Sequence, residues 1–154
     1  MGKFDNFTIE QATATFNLMP QGIGQFEAAA YAFSMVLLFR SQDKNHESLD
    51  ALWERGLSAM TVATGQDTPV LKDEPEMEPL MMVAVFQSLP YGPGGYFRAA
   101  YGLWASLALF HRATHVRLTD DTYGLPVEYA TYARELSNHG MLALVAARGE
   151  EDAA

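Results

Sequence analysis

The stretch FHRATHVR, residues 110–117, carries two of the chain's four histidines at a spacing that can do chemistry. His111 and His115 are four residues apart, so on a helix they share one face. Traced backwards, that face runs through Ala108, Trp104, Tyr101 and Phe97, an apolar seam that the histidines extend. Arg98, Ser106 and Arg112 fall on the other side, so both imidazoles are expected to point inward. Two histidines and a carboxylate, with water in the open positions, are the donor set of a catalytic zinc or non-haem iron centre.

The carboxylate would come from the last helical segment, where Glu128, Tyr132, Glu135 and His139 line the margin of an apolar face holding Leu125, Tyr129 and Leu136. If the two segments pack antiparallel about a turn near Asp121, His115 lies level with Val127 and Glu128, and His111 with Thr131 and Tyr132. The metal set is then His111, His115 and Glu128, with Glu27 or Glu135 as an additional ligand and Tyr132 beside it. His139 falls opposite Leu103, roughly 12 Å from His111 at 1.5 Å per residue, and so outside that set. A plainer reading needs no metal. The pair lacks the glutamate of HExxH, and two histidines near a helix end can hydrogen-bond Glu128, Tyr132 or backbone, where their charged form also suits the dipole. A His–Glu pairing could equally serve acid–base chemistry or a pH response.

A second stretch, SLPYGPGGYFRAAYGLW at residues 88–104, sets three glycines and two prolines before an apolar run. Were the preceding LMMVAVF a buried strand, this would be a glycine-rich passage from strand to helix, and exposed amides at a helix start attract anions. It has neither the spacing nor the lysine of a phosphate loop, nor the dinucleotide pattern. The expected role is a tight connection between helices, with Tyr91 and Tyr96 packed over it. Without cysteine or a G-x-S-x-G elbow, nucleophilic catalysis is disfavoured.

The elements that would position these residues are helical. Thr8 and Gln11 form a possible capping box before a helix over about 9–18, closed by Pro20 and Gly22. Residues 23–41 have apolar side chains almost all round and should be central, with Glu27, Tyr31 and Ser34 as the polar line. Leu49, Leu52, Trp53, Gly56, Met60 and Ala63 give an amphipathic helix over 46–64. A charged, proline-bearing loop leads to Pro79 and a helix through 88, then come long helices over 95–116 and 126–147. No repeat or low-complexity segment stands out. The expected fold is all-α, a bundle of five or six helices in a single domain over 1–154, with the last two forming a long antiparallel hairpin and a short tail from about 148.

Composition narrows the function classes. The chain of 154 residues is 49% hydrophobic, 19% charged and carries a formal net charge of −9. Ten scattered Lys and Arg residues do not make a nucleic-acid surface, because phosphate affinity depends on clustered cations. Acidic residues cluster only at Asp73, Glu74, Glu76 and Glu78, too few for a mimic of DNA. The run AAAYAFSMVLLF, 28–39, is shorter than the ~20 residues of a membrane-spanning helix. The charge share is below the usual ~25%, leaving apolar surface for a partner or another copy. The chain is therefore expected to be a cytoplasmic, non-enzymatic protein–protein interaction module that binds a protein or itself and needs no cofactor. The alternative is a bundle binding a divalent metal, zinc or iron, or a small molecule between its last two helices.

Overall fold

The structure, a computed structural model, describes residues 8–41, 47–65, 78–119 and 125–149. For residues 41, 47–48, 112–119 and 125–127 it describes only the backbone. Among the described residues there are six helices and no strand: α1 (Ile9–Asn17), α2 (Glu27–Ser41), α3 (Glu47–Thr64), α4 (Pro79–Ser88), α5 (Tyr96–Thr119) and α6 (Leu125–Arg148). The fold is all-α. The chain divides into two compact units, Met1–Lys72 and Asp73–Ala154, each holding three helices.

In the first unit, α1 starts at the capping box read from the sequence. The Thr8 hydroxyl accepts from the Gln11 amide at 3.0 Å, and the Gln11 side chain accepts from the Thr8 amide at 2.8 Å. Its buried face is Ile9, Ala12 and Phe16. Helix α2 is buried on nearly every side, from Ala28 through Val36 and again at Phe39, because α1 and α3 both pack on it. Ser34 stays buried by donating its hydroxyl to the Tyr31 carbonyl at 2.7 Å. Phe33 of α2 meets Trp53 of α3 with ring centroids 5.2 Å apart. At Gly56 the helices come close enough that a Cβ would lie 2.7 Å from the Phe33 ring and 3.2 Å from the Ala32 methyl.

The second unit repeats this plan. LMMVAVF belongs to α4: Pro79 takes the first helical turn, where a missing N–H costs nothing, and the Met82 amide donates to the Glu78 carbonyl at 3.1 Å. The pattern F-x3-P-x-G-x-G-x4-A-A-Y occurs at Phe16, Pro20, Gly22, Gly24, Ala29, Ala30 and Tyr31, and again 70 positions on (86 − 16) at Phe86, Pro90, Gly92, Gly94, Ala99, Ala100 and Tyr101. Burial follows it, residue for residue, over 8–24 and 78–94. In the third helix of each unit, Gly56 and Gly65 recur as Gly140 and Gly149, 84 positions on (140 − 56). The contacts recur with them: Gly140 sits against Gly102 and Leu103 of α5, as Gly56 sits against Ala32 and Phe33 of α2. The chain is thus an internal duplication, which a reading for composition and period alone passes over.

The two offsets differ by 14 residues (84 − 70), and the helix bounds show where these went. Relative to the first unit, α5 runs eight residues further and α6 starts six earlier (8 + 6 = 14), while the connections 42–46 and 120–124 are equally long. The insertion is therefore all helix, about two turns on each arm at 3.6 residues per turn.

One bond in each unit ties the turn to the third helix. The Gly24 amide donates to the Ala63 carbonyl and the Gly94 amide to the Ala147 carbonyl, both at 2.8 Å. Gly24 and Gly94 have φ of 80° and 82°, and a Cβ at either would touch nothing within 4 Å. Gly24→Ala and Gly94→Ala should therefore each lower the unfolding free energy by backbone strain alone, about 1–2 kcal/mol. Urea denaturation checks this, with similar losses expected for the two variants.

Candidate functional site

The antiparallel hairpin of α5 and α6 is the element on which the candidate ligands sit. Its register is fixed at three levels: the Gly94 amide on the Ala147 carbonyl, Leu103 beside Gly140, and the Ser106 hydroxyl donating to the Ala133 carbonyl at 2.8 Å. This is the level matching expected from a turn near Asp121, which sets His139 opposite Leu103. The assignment of faces differs. Ser106, expected on the outer side, is fully buried and marks the side of α5 that meets α6.

His111 lies seven residues beyond Trp104, two near-complete turns, and so shares the face of Trp104 and not that of Ser106. Trp104 is buried and meets Tyr101 in a tilted ring contact with centroids 5.3 Å apart, but His111 is exposed. From Ala99 to Leu107 α5 is buried all round. Beyond it Ala108 and Phe110 are half-buried, so burial falls away before His111 is reached. Periodicity finds the seam but not its end. Glu128 and Glu135 are exposed on α6, Tyr132 is half-buried there, and Glu27 is half-buried at the start of α2 in the other unit. His115 lies in α5, its side chain outside the described residues. Among the described residues no three His, Asp or Glu side chains gather where a metal could sit. The set that needs His115 falls outside that statement.

The glycine turn is a built structure of another kind. Its amides are already used: Gly94 donates to Ala147, Gly95 to the Gly92 carbonyl at 2.9 Å and Tyr96 to the Gly94 carbonyl at 2.9 Å. These amides do not form a cradle for an anion. Arg98 holds the turn from inside the unit. One of its terminal nitrogens donates to the Gln87 carbonyl at 3.2 Å and to the Leu89 carbonyl at 2.9 Å, satisfying acceptors left over where α4 ends. Its guanidinium carbon lies 4.6 Å from the centroid of the Phe86 ring and 5.2 Å from that of Tyr91. Tyr91, expected to pack over the turn, is 56% exposed with the arginine on one side of it.

Sequence reasoning missed this role because the partners of Arg98 are backbone carbonyls nine and eleven residues away, which carry no side-chain signature. The duplication would have pointed to it: the first unit has Ala28 at this level (98 − 70), so the cation is an addition of the second. No family model matches the sequence, and it matches no curated protein and no solved structure.

Arg98→Ala should destabilise the second unit by about 1–3 kcal/mol, through two charge-assisted bonds lost from carbonyls at a helix end. Arg98→Lys should recover only part of this, since one ammonium can donate to both carbonyls but has no flat face to lay over the Phe86 and Tyr91 rings. The denaturation midpoints of both variants against wild type are the measurement.

Proposed function

We propose that the protein is a non-enzymatic protein–protein interaction module built from a duplicated three-helix unit. The observation that carries this reading is the exposed apolar surface on otherwise well-packed units. Leu18 and Ile23 are 86% and 81% exposed around the first turn, and Leu80, Met81 and Leu142 are 64%, 56% and 58% exposed in the second unit. Single exposed apolar residues are ordinary on a soluble protein, but several on one short segment mark a contact surface. The low share of charged residues, 19%, agrees with it. No described helix is long and apolar enough to cross a membrane, so these side chains are not accounted for by a spanning segment. Three amides of the glycine-rich turn, those of Gly94, Gly95 and Tyr96, donate to carbonyls of the same chain.

The module is expected either to self-associate or to retain a protein partner. Sedimentation of the purified chain over a hundredfold concentration range, with affinity capture from its native extract, tests this. A concentration-dependent mass or a stoichiometric bound protein is the expected result. A strict monomer that retains nothing would overturn the proposal.

A further inference from the structure

The two units share a plan, yet each carries a surface that the other lacks. In the first unit that surface is the end where the turn meets α3. Leu18 and Ile23 are exposed around the turn and Val62 is exposed in the last turn of α3. Ile23 lies against the end of that helix, where a Cβ at Gly65 would be 3.9 Å from its side chain. Three residues past Gly24 comes Glu27, half-buried in the first turn of α2, its carboxylate without a partner among the described residues. Neither α1 nor α3 has a basic residue in its last turn, so two helix ends leave their partial negative charge uncompensated. The nearest base along α3, Arg55, is seven residues before Val62, about 10 Å at ~1.5 Å per residue. This end is apolar and electronegative.

The second unit has none of this at the same levels. Ser88, Pro93 and Phe97 stand in place of Leu18, Ile23 and Glu27, and the buried Ala146 in place of Val62. Arg98 and Arg148 stand where the first unit has Ala28 and Thr64. What the second unit has instead is a stripe along α6. Arg134, Met141, Val145 and Arg148 follow one another at steps of seven, four and three residues, which keeps them within about 60° around the helix axis. All are exposed except the half-buried Val145. The exposed Leu142 borders the stripe, and Glu135 falls beyond Leu142. At the levels of the stripe α3 carries Asp50, the buried Leu57, Thr61 and Thr64. Folding the unit requires neither surface, since each unit folds without the other's.

Building on the interaction reading above, we infer that the turn end of the first unit docks the α6 stripe of a second copy of this chain. Leu18, Ile23 and Val62 meet Met141, Leu142 and Val145, and Arg148 comes beside Glu27 and the open ends of α1 and α3. Charge selects this occupant. Pairing either surface with itself sets like charges together, whereas the cross-pairing sets opposite ones, which fixes orientation and suppresses the wrong register. The net charge of −9 on each copy opposes association at long range. At ~0.15 M salt charges more than ~8 Å apart are largely screened, which leaves the local pairing to decide. Arginine and apolar side chains at the spacing of helical turns are also the usual anchors when a helix face is read by a partner.

The test is sedimentation of the full chain in ~0.15 M salt over a hundredfold concentration range, where the mass of the wild type should rise with concentration. Glu27→Lys and Arg148→Glu should each weaken association at least tenfold, with circular dichroism and the denaturation midpoint reporting that each variant is folded. An equimolar mixture of the two variants should regain the wild-type affinity, because every cross-contact in it pairs opposite charges. The chain carrying both substitutions should regain it for the same reason. Neither recovery follows if the single variants act by weakening the fold. Leu18→Ser with Ile23→Pro, the residues of the second unit at those levels, should also weaken association at least tenfold, by removing the apolar part of the contact. Single charge variants that associate as the wild type does, or a mixture no stronger than its components, would overturn the inference. So would a wild type that stays monomeric across the range; if that monomer still retains a protein from its native extract, this surface falls and the interaction module stands.

Discussion

A single backbone hydrogen bond, made once in each unit, governs how the three helices come together. The second glycine of the turn gives its amide to a carbonyl near the end of the third helix, Gly24 to Ala63 and Gly94 to Ala147. That carbonyl belongs to the last turn, whose acceptors have no partner further along the helix. The bond therefore satisfies an orphan acceptor and joins segments nearly forty residues apart in the first unit and over fifty in the second. Once it is made, the level at which the second helix runs past the third is set. The small residues Gly56 and Gly140 then fall where a Cβ would run into Phe33 and Leu103 of the second helix. A left-handed glycine is needed because the chain must leave one helix, present this amide and enter the next helix within a few residues.

Local signals were legible in the sequence, and long-range ones only in part. The capping box at Thr8, Pro79 at a helix start and the three- and four-residue spacings located all six helices, since each depends on neighbours within one or two turns. The register of α5 on α6 was legible too, because a short connection leaves an antiparallel hairpin little freedom. Which side of α5 meets α6 was not. Ser106 reads as a polar, outward residue, yet it is buried because its hydroxyl finds the Ala133 carbonyl, and no spacing rule contains that acceptor. His111 continues the seam of Trp104 in the sequence, but the seam ends where its cover ends. Of the candidate metal set, His111 and Glu128 are placed on the outside of their helices and His115 lies beyond what the side chains describe.

The identities between the two units fall mainly where backbone geometry is decided: the phenylalanine closing the first helix, the proline, the turn glycines, the small residues of the second helix and the close-approach glycine of the third. Large core side chains vary between copies, Phe33 against Leu103 and Met60 against Leu144, all buried. This is the expected division of labour, since cores accept many apolar combinations if volume is kept, whereas a positive φ or a contact with no room for a methyl accepts few residues. Such sparse identity is easily overlooked by eye, because it contains no run longer than the Ala-Ala-Tyr of α2 and α5.

The 14 residues by which the units differ are shared between two helical arms as eight and six, with the connection between them unchanged in length. Eight residues are about 2.2 turns and six about 1.7, so the far ends of the two arms lie at azimuths roughly 80° and 120° away from those of the shorter hairpin. The added turns lie beyond the base of the hairpin, where the glycine contacts and the turn bond recur in both units. Its far end, where His115 and Glu128 stand, becomes an appendage whose composition can drift independently of the unit that carries it.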